Sequence, residues 1–149
     1  MSTSPYFLKP TPIERAMNKT IGMLARLGLG PGYIYLLQVQ GKETGLTYST
    51  PVNLFHFKDR DYLVGGRGHT GWSRNALANG AVTLRRGRSF RRYRVRPIAD
   101  NDKAEILKGY LEEYTGTVQK FFTVQAGSPP DAFRAIAGRH PVFELTVEG

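Results

Sequence analysis

Helical and strand periodicities alternate along this chain. Near its start, Ile13, Met17, Ile21 and Leu24 recur at helical spacing, with Arg15, Lys19 and Arg26 at polar positions between them. Ahead of that run, Thr11-Pro12-Ile13-Glu14 has the form of a capping box with proline at the first helical position. Gly28, Gly30, Pro31 and Gly32 stop the helix. From Tyr33 the pattern becomes strand-like. Residues 33–39, 48–57 and 62–64 read as an antiparallel meander, with a glycine-bracketed turn at 41–45 and a hairpin tip at 58–61. Pro51 marks an edge or a bulge, because it cannot donate to a ladder.

Four glycines within 65–71 then interrupt the pattern, and residues 72–79 read as a short helix stopped by Gly80. Strands at 81–84 and 89–98 flank the turn Arg86-Gly87-Arg88. Asp100 or Asp102 caps a helix running to about Tyr114, whose Ile106, Leu107, Tyr110 and Leu111 share one face. Residues 120–122 form a short helix or loop, 128–131 open a last helix through about Ala137, and 142–147 return as a strand. About six antiparallel strands with helices between the later ones predict an α+β fold, a small β-barrel with helical decorations. Gly66-Arg67-Gly68 lacks the third glycine and the βαβ surroundings of a dinucleotide fingerprint. The organisation expected is one domain: an extension over 1–10, an amphipathic helix over 11–28, and the barrel over 33–149.

A length of 149 residues suits one domain with its own core. Cysteine is absent and there are three histidines, which excludes a disulfide framework and a thiolate metal site. No run approaches the roughly 18 apolar residues of a spanning helix. Residues 1–10 lack the basic-then-apolar order of a signal peptide. A cytoplasmic protein is expected. The formal charge of +9 changes the picture most, since such a surface attracts phosphates, nucleic acid, acidic lipids or an anionic cofactor. The first helix therefore either packs on the sheet or lies on the inner face of an anionic membrane.

Three segments could carry chemistry. The turn and strand around 41–51 offer Lys42 with the hydroxyls of Thr44, Thr47, Ser49 and Thr50, either as an anion nest or as a plain hairpin connection. In the glycine loop and following helix, Arg67 presents a fork suited to phosphate or carboxylate. Trp72 is either a core anchor or a wall for a planar ring, and His69 reads as exposed and idle. Third, Arg85, Arg86, Arg88, Arg91, Arg92, Arg94 and Arg96 crowd one hairpin. Alternation puts Arg92, Arg94 and Arg96 on one face and Tyr93 and Val95 on the other, a solvated sheet face or a basic ribbon. No aromatics interleave with that face and no reader motif is present, which argues against nucleic acid. There is no nucleophile elbow and no paired carboxylates, although His56 and Asp59 are close in sequence, and His140 before Pro141 reads as structural. An enzyme built this way needs a cofactor.

Taken in order, Gly41-Lys42-Glu43-Thr44-Gly45, Pro51, Gly65-Gly66-Arg67-Gly68, Trp72-Ser73-Arg74-Asn75-Ala76-Leu77-Ala78-Asn79, Arg85-Arg86-Gly87-Arg88 and Arg139-His140-Pro141-Val142-Phe143 resemble the deazaflavin-dependent nitroreductase family, from about Tyr33 onward. The resemblance implies a split β-barrel related to flavin-mononucleotide-binding barrels. It also implies a deazaflavin cofactor, coenzyme F-420, with flavin mononucleotide (FMN) as the second choice. The polyanionic coenzyme tail would account for the basic surface. Lys42 and Thr44 match the family's phosphate-side turn, and Pro51 and Asn53 fall where its backbone borders the ring. Gly66, Arg67 and Gly68 match its basic glycine loop, and Trp72 and Asn75 its helix start. Tyr114 matches an aromatic of the substrate-side helix; with Tyr110 it is the catalytic candidate, a phenol that donates a proton or lines the substrate pocket. The chain departs from the family's usual pattern at Glu43, Tyr48 and Lys120. The expected activity is hydride transfer from reduced coenzyme to a quinone, enone or nitroarene, and a homodimer is expected by analogy. The alternative is a redox-inactive barrel that binds a fatty acid or lipid and docks on a membrane through its first helix.

Overall fold

Helix α1 (Pro12–Arg26) begins on the capping box read from the sequence: Glu14 N–H donates to Thr11 Oγ1 at 3.1 Å, and Thr11 N–H donates to Glu14 Oε1 at 3.1 Å. The computed structural model describes residues 6–41 and 43–148, so Lys42 lies outside the described residues. The face on which α1 packs is not its large apolar stripe. Gly22 and Ala25 are its buried residues, and Gly22 seats the helix against Leu36 and Pro51. Ile13 and Met17 stay 74% and 57% exposed. Small residues let the helix axis approach the sheet closely, and the long side chains are left at its flanks.

Seven strands form one antiparallel sheet: β1 (Ile34–Gln40), β2 (Thr47–Asn53), β3 (Phe55–Phe57), β4 (Arg60–Val64), β5 (Ala81–Arg86), β6 (Ser89–Pro97) and β7 (Val142–Val147), in the order β2-β1-β5-β6-β7-β4-β3. The sheet curls so that β2, at one edge, returns beside β4 without pairing to it. This is the split-barrel, FMN-binding-like architecture within an α+β fold. The run expected as one strand over 48–57 is broken at Leu54, whose N–H donates to Tyr33 O at 2.8 Å. The break is where the chain leaves one edge of the sheet for the other: 47–53 pair with β1, and 55–57 with β4. Pro51 sits on the edge strand, where a missing donor costs nothing. At the β3–β4 tip, Lys58 (φ 50°) and Asp59 (φ 63°) are both left-handed, as a two-residue primed turn requires.

Apolar residues split between the two faces of the sheet. Inside the curl, Leu37, Leu63, Val82, Leu84 and Phe143 pack beneath helix α2 (Gly71–Asn79), which contributes Ala76 and part of Trp72. On the opposite face, Phe55, Tyr62 and Val142 pack under α3 (Ala104–Glu113), α4 (Thr115–Val118) and α5 (Pro130–Arg134). Ile106, Leu107, Tyr110 and Leu111 are all buried there, as their spacing predicts. Neither Asp100 nor Asp102 caps α3. Both lie in a 3-10 turn (Asp100–Asp102) one residue before it, and Lys103 stands at the cap position with no side-chain cap. Asp100 is committed instead to the ammonium of Lys103 at 2.8 Å, which is buried and also donates to Ala137 O at 3.0 Å. The last helix is likewise shorter than expected, with a 3-10 turn (Ala137–Arg139) after α5.

The arginine hairpin divides as alternation requires: Tyr93 and Val95 are buried, while Arg92, Arg94 and Arg96 are exposed. Arg92 pairs with Glu148, and Arg96 and Arg60 both pair with Glu144, so part of the charge is neutralised in place. Arg86 behaves differently. Its guanidinium donates to the carbonyls of Gly28, Leu29, Gly30 and Ile34 at 2.8–3.4 Å, gathering the loop between α1 and β1 around one side chain. No described helix is long and apolar enough to cross a membrane. Replacing Arg86 by alanine strands those carbonyls and is expected to lower unfolding free energy by about 2–3 kcal/mol in urea titrations, with Arg94→Ala near zero as the control.

Candidate active site

Curling the sheet without closing it leaves a seam, and the seam is a cleft of about 830 Å³. Its floor is β2 from Tyr48 to Asn53. Among the described residues β2 pairs only with β1, so its second edge is open. Glu14, Met17, Asn18 and Ile21 of α1 form one wall, and Trp72, Arg74 and Asn75 of α2 another. Gly66, Arg67, Lys120 and Phe121 close the far end. Helix α2 is aimed by its cap: Ser73 N–H donates to Thr70 Oγ1 at 3.4 Å, and the uncompensated N-terminal end carries no acidic side chain. Met17 and Ile21, which the helical period marks as an apolar face, contribute to the cleft wall.

Charge in the cleft centres on Arg67. Its Nη2 lies 2.7 Å from Glu14 Oε2, its Nη1 donates to Leu8 O at 3.2 Å, and its guanidinium stacks 4.5 Å from the Phe121 ring. Lys120 Nζ approaches the same Glu14 oxygen at 3.3 Å. The Thr11 N–H and the Arg67 guanidinium, helped by Lys120, bring the Glu14 carboxyl down to about 2. By local pattern Glu14 is only a cap and Lys120 only a departure from the family's usual residue. Their role at the cleft follows from contacts across more than 50 residues, which no local pattern signals.

The glycine loop approaches the chain's own N-terminal segment. Phe7 bridges to Gly68, Leu8 N–H donates to Arg67 O at 2.7 Å, and His69 N–H to Tyr6 O at 2.7 Å. Gly68 has φ +96°, and a Cβ there would collide with the Tyr6 carbonyl. His69 is not idle: its Nε2 contacts Gly138 O at 3.0 Å, which requires that nitrogen to donate. His140 is fully buried, donates from Nδ1 to Gly65 O at 3.1 Å, and stacks on Phe122 with ring centres 4.3 Å apart. Burial pushes its pKa down to about 4, so at neutral pH it is an uncharged prop beneath the loop.

Of the residues singled out from the sequence, Thr44, Pro51, Asn53, Gly66, Arg67, Trp72, Asn75 and Tyr110 line this one cleft. Thr44 Oγ1 and Tyr48 OH are 3.1 Å apart and hold the turn together. Tyr110 OH accepts from Asn53 Nδ2 at 3.3 Å, and burial raises its pKa, keeping it a neutral phenol. Tyr114 lies behind that wall. Its hydroxyl donates to Leu54 O at 3.1 Å, its pKa is pushed up to about 12 by burial, and its ring packs 5.2 Å from Tyr110. Gly68 lies beneath the strap formed by residues 6–8. Trp72 packs on Phe143 with ring centres 6.0 Å apart and also borders the cleft.

A basic, aromatic-walled cleft at the seam of a split barrel defines a class of flavin- and deazaflavin-binding folds, and comparison with known proteins narrows it. The family model described as F420H(2)-dependent quinone reductase matches residues 11–124. The chain belongs to that family; it is an oxidoreductase, and its cofactor is coenzyme F-420. Among solved structures, one described as an F420-H2 dependent reductase (FDR-A) is 19% identical, with 76% of this chain and 94% of that chain covered and a TM-score of 0.51. A domain-swapped dimer is 17% identical over 91% and 100% of the two chains, with a TM-score of 0.53. A protein from Listeria innocua described as a putative pyridoxamine 5'-phosphate oxidase is 11% identical over 78% and 85%, with a TM-score of 0.52. At these identities the likeness establishes the fold. No curated protein matches the sequence.

His140 makes the loop acid-sensitive. The unfolded chain takes up its proton near 6.5, the folded one only near 4. Stability contributed by the neutral ring is therefore complete above 6.5 and is lost as pH falls toward 4. Urea midpoints measured across that window are expected to fall in the wild type and to lose most of that slope in His140→Gln.

Proposed function

We propose that the seam cleft binds reduced coenzyme F-420 and presents it to an electron-poor two-electron acceptor, a quinone in the first instance, with enones and nitroarenes as chemically related acceptors. One observation carries this reading: a single cleft combines flat aromatic and aliphatic walls with a cationic end. The residues present fit the coenzyme. Trp72, Val52 and Pro51 suit the faces of a planar ring, and Asn53, Asn75, Ser49 and Thr44 suit its polar edges. Arg67 and Lys120 suit the anionic tail, with Arg67 offering the forked geometry that phosphate and carboxylate accept. The cleft volume falls in the roughly 300–1,000 Å³ range of small-molecule sites.

When bound, the coenzyme supplies the hydride. The chain's part is to hold the acceptor against it, exclude water and manage one proton. Tyr110 is the buried phenol of the cleft, whereas Tyr48 is exposed and bonded to Thr44. Because burial keeps it neutral and its oxygen already accepts from Asn53, its O–H is available to donate to the acceptor's oxygen. Tyr114 acts by fixing the Tyr110 ring and the Leu54 carbonyl. Phe7, Met17 and Ile21 supply apolar cover on the α1 side, consistent with a quinone-sized apolar acceptor.

Oxidation of reduced coenzyme by a naphthoquinone, followed by the return of the coenzyme's visible absorbance, tests the reading. Tyr110→Phe is expected to lower kcat by roughly 10²-fold with the coenzyme Kd little changed. Asn53→Ala, which frees the phenol's orientation, should lower kcat less. Absence of coenzyme binding at high micromolar concentration overturns the proposal.

A further inference from the structure

Two cations of the cleft, Arg67 and Lys120, are already occupied by the chain itself. Arg67 comes from the glycine loop and Lys120 from a 3-10 turn 53 residues further on, yet both converge on one oxygen, Glu14 Oε2, at 2.7 and 3.3 Å. A capping box needs only one carboxylate oxygen, and here Oε1 fills that duty by accepting from Thr11 N–H. The second oxygen is thus free to serve the cleft. Glu14 and Arg67 side chains are only 23% and 17% exposed, so the pair is held on the cleft wall rather than frayed into solvent.

We infer that Glu14 is a built-in occupant of the anion subsite: its carboxylate stands where an anionic group of the ligand binds, and binding exchanges this internal anion for an external one at Arg67 and Lys120. The identity of the ligand as coenzyme F-420 rests on the function proposed above; the exchange itself does not. Two consequences follow from charge. Without ligand, the partly buried guanidinium never lacks a partner, which spares the cost of an unpaired buried cation. With ligand, the incoming anion must out-compete a carboxylate held at short range. A phosphate, with more charge and three oxygens for the guanidinium fork, can do so, whereas a neutral molecule cannot. Glu14 is then a selectivity element that admits tail-bearing coenzyme and gives no advantage to a neutral chromophore.

Calorimetric titration at constant ionic strength tests this with inorganic pyrophosphate as the probe and, in parallel, with reduced coenzyme F-420 and its neutral tail-less chromophore. The variant is Glu14→Gln, which keeps a capping-box residue at its position. Pyrophosphate is expected to bind roughly 5- to 20-fold more tightly to Glu14→Gln than to the wild type, and the gain should vanish in Glu14→Gln/Arg67→Ala. The neutral chromophore should bind wild type and Glu14→Gln alike. Equal or weaker pyrophosphate binding by folded Glu14→Gln overturns the inference. So does coenzyme that binds wild type and variant equally, which leaves the proposed function standing. Tighter pyrophosphate binding without any coenzyme binding supports the exchange and removes the proposed function. A readout in the wild type guards against a folding defect. The carboxyl carbon of Glu14, followed by NMR, should titrate nearer the ordinary carboxylate range once pyrophosphate saturates Arg67 and Lys120; an unchanged titration counts against the exchange.

Discussion

A single guanidinium joins four segments of the chain at one end of the cleft. Arg67 reaches α1 through Glu14, the N-terminal strap through Leu8 O, and the segment after α4 through the face of Phe121, while its own backbone belongs to the glycine loop. A partly buried cation must be partnered or the structure around it gives way. Each contact therefore constrains a different element, and together they hold four elements separated in sequence around one volume. The aromatic stack beneath, Tyr6 against His140 and His140 against Phe122, fixes the loop from its other side.

The cleft exists because the barrel is not closed. A closed sheet has no edges to recognise anything; an open one exposes unpaired backbone that must be covered. Here the edge strand β2 carries Pro51, which removes one donor, and α1 lies against it through Gly22. That close approach keeps the helix near enough to wall the seam while its longer side chains line the opening. The same economy appears at Arg86, where one side chain collects the carbonyls of a glycine-rich loop that could not otherwise find donors.

What the sequence disclosed was local. The Thr11–Glu14 cap, the Gly80 stop, the faces of β6 and the apolar side of α3 all follow from spacings of a few residues, and each is present in the fold. Asp100 and Asp102 misled because an aspartate before a helix satisfies the cap pattern whether or not its carboxylate is already taken, and Lys103 had taken that of Asp100. In the glycine loop Gly66 lines the cleft while Gly68 makes room for the strap; glycine signals a close approach without saying whose backbone approaches. The site was legible in its floor and in Arg67, which motif order carried. Glu14 and Lys120 were hidden because a carboxylate can cap a helix and neutralise a distant cation at once, and only the fold reveals the second task.

The central claim is that the seam, with Arg67 at its end, is where coenzyme F-420 resides. A crystal structure of the protein with the coenzyme bound decides it most directly. The account predicts the deazaflavin ring along β2 beside Trp72, with the tail's anionic groups at Arg67 and Lys120 and the Glu14 carboxylate swung away from them. Coenzyme bound elsewhere, for example along the exposed arginines of β6 with the Arg67–Glu14 pair intact, would contradict it.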